Sequence, residues 1–173
     1  MWGKSMVLGL LLIGCSDPAM QECPDHDPLT PVESQELPFD KVLRITPEAA
    51  DAMFYSAGRI QENLGILVHW EIDSTPGFCE TSADAPCLRF THPGESIGES
   101  GHAAGVHNNG WIRIDPDRAR AHTVEHEILH WLGADHEDGD SCAVMYGEGS
   151  GRTYTQELVE AVCSVWACEL PAS

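Results

Sequence analysis

The chain has 173 residues, 42% of them hydrophobic, with 9 Lys and Arg against 28 Asp and Glu for a formal net charge of −19. One domain fits that length, since domains run to roughly 100–200 residues, and a self-supporting hydrophobic core is feasible. The composition argues against a disordered chain, and the acidity against nucleic acid or an anionic membrane surface as an electrostatic partner.

The N-terminus reads MWGKSMVLGLLLIGC. Lys4 precedes an apolar run over 6–13, shorter than the roughly 20 residues a spanning helix needs, and the pattern fits the apolar region of a secretory signal. Leu12-Ile13-Gly14-Cys15 resembles the lipobox of bacterial lipoproteins. That resemblance implies a signal peptide over 1–14 and a lipidated Cys15 as the mature N-terminus. It also implies a cell-envelope location, and Ser16 in place of Asp points to the outer membrane or cell surface. The alternative is an ordinary signal peptide cleaved elsewhere. On either reading the chain is exported, and on the lipoprotein reading its membrane contact is limited to the N-terminal anchor. Six cysteines besides Cys15 then permit disulfides, with 15 possible connectivities. Cys79 and Cys87 bracket a polar loop and are the first pair expected. Cys142 with Cys163 or Cys168 would tie a loop to the last helix.

Residues 16–38 are rich in Pro, Asp and Glu and read as a tether; 39–173 form the domain. Leu43-Arg44-Ile45 reads as a short strand. Thr46-Pro47 opens a helix over 47–63, with Ala50, Met53, Phe54, Ala57, Ile60 and Leu64 at helical spacing and Gly65 as its stop. Residues 66–72 (ILVHWEI) read as one buried strand. The stretch 74–101 is turn-rich, with a brief strand at Leu88-Arg89-Phe90. Asn109-Gly110 predicts a hairpin between Val106 and Trp111-Ile112-Arg113-Ile114. Asp115-Pro116-Asp117 opens a second helix, with Ala121, Val124, Ile128, Trp131 and Leu132 on its apolar face and Gly133 as its stop. A third helix spans 155–166 and buries Leu158, Val159, Val162, Val165 and Trp166. The expected fold is α+β: a small twisted mixed sheet with one helix carrying the site, a backing helix and a C-terminal helix.

The chemistry centres on His126-Glu127-Ile128-Leu129-His130. Four helical residues turn about 400° and rise about 6 Å, so His126 and His130 lie on one face and can share one Zn2+. Glu127, offset by roughly 100°, borders that face and reaches a water held there without being a ligand. His136 stands six residues beyond His130, and Gly133 can turn the chain back so that it becomes a third ligand.

These residues resemble the long zinc signature of metzincin metallopeptidases, H-E-x-x-H-x-x-G-x-x-H, at positions 126, 127, 130, 133 and 136. Cys142-Ala143-Val144-Met145-Tyr146-Gly147 resembles the family's Met-turn, and the short gap to Met145 is most similar to matrixins. The chain departs at Leu129, where matrixins have Gly. It departs at Glu137, which is astacin-like, and at Gly147, where astacins have a metal-coordinating Tyr; Tyr146 is not assigned as a ligand. The resemblance implies one catalytic Zn2+ on His126, His130 and His136, with Glu127 as general base and then proton donor. It implies an apolar floor at Met145 and an extended polypeptide substrate along an edge strand, for which the 106–114 hairpin is the local source. The implied function is a monomeric zinc metalloendopeptidase acting on extracellular or envelope polypeptides. The alternatives are a lipid-anchored zinc-containing binding module without turnover and a zinc hydrolase of non-peptide amides.

His122 reads as a surface residue or one behind the ligands. His69, His92, His102 and His107 are candidates for a further metal site. Asp138-Gly139-Asp140 is either an oxygen-rich turn for Ca2+ or a plain solvated turn. Cys23-Pro24-Asp25 resembles the latency cysteine of matrixin propeptides, and the even cysteine count offers it a disulfide instead.

Overall fold

A computed structural model describes residues 35–36, 42–98, 104–108, 110–119, 122–147 and 151–166. The signal segment, Cys15, Cys23 and His102 lie outside the described residues. Within the stretch read as a tether, β1 (Gln35–Glu36) pairs in parallel with β3 (Ile66–Leu67), so the chain enters the fold there.

A parallel core of four strands carries the fold. Strands β4 (Trp70–Ile72), β2 (Leu43–Ile45), β5 (Cys87–Phe90) and β7 (Trp111–Ile114) lie side by side, and β6 (Gly105–Asn108) closes one edge antiparallel to β7. The 66–72 segment therefore divides in two. Its first half pairs with β1 and its second half with β2, and Leu43 N–H donates to His69 O at 2.9 Å between them. The expected hairpin forms on both sides of Gly110, in register from Gly105 opposite Ile114 to Asn108 opposite Trp111.

Alternation sorts the sheet's side chains onto two faces. Leu43, Ile45, Leu88, Ile112 and Ile114 are fully buried against the helices. Arg44, Cys87, Arg89, Trp111 and Arg113 point to the other face, where the 74–86 loop before β5 and the 91–98 loop after it supply partners. Arg89 donates to Cys79 O at 3.2 Å and to Glu95 Oε1 at 2.7 Å; Arg113 donates to Glu80 O at 2.7 Å. The Cys79–Cys87 disulfide ties this loop to β5 as expected, and Cys142 and Cys163 are disulfide-bonded as well.

The first helix begins as one 3-10 turn at Pro47–Ala49 and continues as α1 (Ala50–Leu64). Met53, Ser56, Ile60 and Leu64 are its buried residues, whereas Phe54 is 74% exposed. One step past Met53 is about 100° of rotation, which carries Phe54 off the buried stripe. The second helix, α2, spans Thr123–Trp131 and begins later than its acidic start signal predicts. Asp115 closes a single turn instead: its carbonyl accepts from Arg118 N–H and Ala119 N–H, and its carboxylate from Asp117 N–H. The third helix, α3 (Gln156–Trp166), lies where expected, with Leu158 N–H donating to Thr155 Oγ1 at 3.1 Å as its cap. Val165 is 57% exposed, contrary to expectation, and Trp166 is half-buried, its indole donating to Leu132 O at 2.6 Å. Among the described residues, no helix is long and apolar enough to cross a membrane.

Closing an eight-residue separation stabilises the fold by about 2–3 kcal/mol in the chain-entropy account. The Cys79→Ala/Cys87→Ala protein is expected to lose that much in urea unfolding, with its secondary structure unchanged by circular dichroism.

Candidate metal centre

Seven consecutive residues of α2, Thr123 through Leu129, are buried. A surface helix hides one stripe; this one is enclosed almost all round, so each polar group on it needs a partner or a purpose. The helix ends in a reversal. Gly133 takes φ 104°, its N–H donates to His130 O at 3.0 Å, and Ala134 N–H reaches back to Leu129 O at 3.0 Å. This is the paired hydrogen-bond pattern of a Schellman C-cap, which needs a left-handed residue. It turns the chain so that His136 returns to the face of His126 and His130.

Three imidazoles converge there. His136 Nε2 stands 3.2 Å from His126 Nε2 and 3.0 Å from His130 Nε2, and the three ligand atoms all lie within 4.8 Å of one another. His126 Nδ1 lies 2.8 Å from Val144 O, and His130 Nδ1 2.7 Å from Ala134 O. A carbonyl only accepts, so each Nδ1 carries the proton and each Nε2 turns its lone pair to the common centre. Three imidazole donors at 2.0–2.1 Å from one ion stand roughly 3.3 Å apart in a tetrahedral arrangement. The observed spacing is close to that, and the group can hold a metal ion. Burial lowers the His126 pKa to about 4 and lowers that of His130, so both rings stay neutral, the form that binds metal.

Glu127 is buried, 6% exposed, and burial raises its pKa to about 7. Gly105 makes room for it: a Cβ at Gly105 would stand 2.7 Å from Glu127 Cγ and Oε1. Met145 is fully buried. Its carbonyl accepts from Glu137 N–H at 2.9 Å, which ties the stretch after His136 to the turn containing Met145. Tyr146 N–H donates to Ala143 O to close that turn, and Val144 N–H donates to Thr153 O at 2.8 Å. Gly151 lies against it so closely that a Cβ would meet Ala143 O at 1.7 Å.

A buried charge stands behind the ligands. Glu125 is 0% exposed and accepts from Tyr154 Oη at 2.6 Å and from Arg59 Nε at 3.1 Å; its Oε2 lies 3.3 Å from His122 Nδ1. Arg59 also donates to Arg152 O at 3.0 Å. The cluster joins α1, α2 and the 152–154 segment. His122 belongs to it and is buried, not on the surface.

The sequence names His126, His130, His136, Glu127 and Met145 but passes over Gly105, Gly151 and the Glu125 cluster. Glu125 has a readable signal: it shares its helical face with Ile128, Leu129 and Leu132 at i+3, i+4 and i+7, and a carboxylate on such a face demands a cation. The two glycines have none, because what excludes a side chain at each comes from a distant segment. Among the described residues the three-histidine group is the one gathered for a metal. His92 pairs with Glu80 at 3.1 Å, and Asp140 Oδ1 accepts from Cys142 N–H at 2.9 Å, closing the 140–142 turn. No protein-family model and no curated protein matches the chain.

Two outcomes follow from this geometry. Gly151→Ala should displace the turn under the histidines, lowering Tm by several degrees and weakening metal retention against a chelator at least tenfold. The second concerns the metal-free chain. His126 has a lowered pKa in the folded state, so the unfolded chain takes up the proton first and stability falls as pH drops from 6.5 towards 4. Thermal melts of metal-free protein across that range check the sign, and a Tm rising on acidification would contradict it.

Proposed function

We propose that this protein is a zinc-dependent metalloendopeptidase of metzincin type, most similar to matrixins over residues 126–147. It acts on extracellular or envelope polypeptides from a lipidated Cys15 at the bacterial cell surface. The observation that carries the reading is the convergence of three Nε2 atoms, that of His136 3.2 and 3.0 Å from those of His126 and His130, with a buried carboxylate next to the first of them in sequence.

His126, His130 and His136 would hold the zinc, and Val144 O and Ala134 O fix the orientation of the first two rings. Bound zinc supplies Lewis acidity, acidifying water and polarising a carbonyl. Glu127 removes a proton from the attacking water at its carboxylate oxygen and returns it to the leaving amine nitrogen. A carboxyl whose pKa burial raises to about 7 is matched to both halves of that transfer. Met145 packs in the turn beside Val144 and gives the site an apolar floor. Strand β6 is one edge of the sheet, the one packed beside α2, and its outer backbone groups suit an extended peptide pairing as a further strand.

Glu127→Gln keeps the shape and removes the base. It should bind zinc as wild type does and lose 10²–10⁴-fold in kcat/KM on a quenched peptide library. A chelator should abolish the wild-type rate and zinc restore it. Equal inertness of wild type and Glu127→Gln across the library would favour a zinc-containing binding module.

A further inference from the structure

The wall opposite α2 carries an imidazole that the three-histidine group does not use. Strand β6 lies at the sheet edge, and side chains alternate along it. Gly105 faces α2, since it is Glu127 that fills the space a Cβ there would need. His107, two residues on, points to that same side. Its register partner Ile112 is fully buried beneath the helices, which places His107 on the core-facing side of the edge.

Helix and strand run past each other in step. Gly105 meets Glu127, and His107 comes near His130, three residues further along α2. Burial lowers the His107 pKa, and the two imidazoles are close enough that charge on His130 lowers it further. Half-buried, His107 carries an N–H to give whichever tautomer it adopts. It is not one of the three residues grouped for metal binding, so its ring is free of that duty. The ionised Glu127 carboxylate, the Val144 carbonyl and the Ala134 carbonyl are all acceptors. A carbonyl under attack accumulates negative charge on oxygen and needs a donor.

We propose that His107 is a further catalytic residue of this centre, donating an N–H to the carbonyl oxygen of the peptide bond being cleaved. The role rests on the peptidase reading above.

The test uses the full chain loaded with zinc. His107→Ala should retain wild-type zinc content and lose about 100-fold in kcat with KM within about threefold, the loss expected for one donor to a developing oxyanion. His107→Gln, whose amide can donate from a similar reach, should recover at least tenfold of that loss. A second readout needs no turnover: acetohydroxamate binding to the zinc-loaded Glu127→Gln protein, by calorimetry, should weaken about tenfold when His107→Ala is added. Unchanged kcat and unchanged acetohydroxamate affinity at equal zinc content would overturn the proposal. So would zinc loss in both His107 variants, which would make His107 a ligand. If wild type cleaves nothing in the library, the peptidase reading falls by itself. The acetohydroxamate measurement then decides His107 alone, tenfold weakening keeping it as a donor and no change removing it.

Discussion

Three imidazole nitrogens do not gather at contacts of 3.0–3.2 Å by mutual attraction. The lone pairs of His126 and His130 face the same centre and repel. The arrangement holds because each side is restrained from behind. Two rings are anchored through Nδ1 to the Val144 and Ala134 carbonyls, and the third is delivered by the reversal at Gly133. Neighbouring segments reinforce these restraints. The turn at 143–146 presents the Val144 carbonyl, and Gly151 and Thr153 hold that turn from below. Trp166 of α3 bonds to Leu132 O where the reversal begins.

Glu125 gives the same logic an electrostatic form. A fully buried carboxylate is tolerated because Arg59, Tyr154 and His122 surround it. Removing one partner of such a buried pair generally costs about 3–5 kcal/mol, because a charge is left without compensation. The cluster sits one residue before His126 and reaches the segment that supports the 143–146 turn. It thereby locks the ligand helix to the structure that orients its first ring.

Legibility in the sequence divided along the range of the forces involved. Helical spacing and the Gly133 stop are local, so the 126–136 constellation and the α3 boundaries were readable before any fold was known. The Asn109-Gly110 hairpin and the Cys79–Cys87 pair were readable for the same reason. The start of α2 was misplaced because Asp115 carries two equally good local signals, a helix start and an Asx turn, and the turn won. The split of 66–72 into two strands depended on partners at 35–36 and 43–45, which periodicity does not reveal. Phe54 and Val165 show the limit of apolar spacing, since both match a helical pattern and both lie in solvent. Gly105 and Gly151 mark the opposite limit, where the informative feature is an atom that is not there.

The pairing of Gln35–Glu36 with β3 joins this stretch of the chain to the folded body. If lipid is carried at Cys15, about 20 peptide steps lead from it to that pair, a span of at most roughly 70 Å fully drawn out. On the proposed reading, the three-histidine centre would then be held on a short leash, within a thin shell above the bilayer. Depth above the membrane would then help select which molecules reach that centre, alongside the shape of its surroundings.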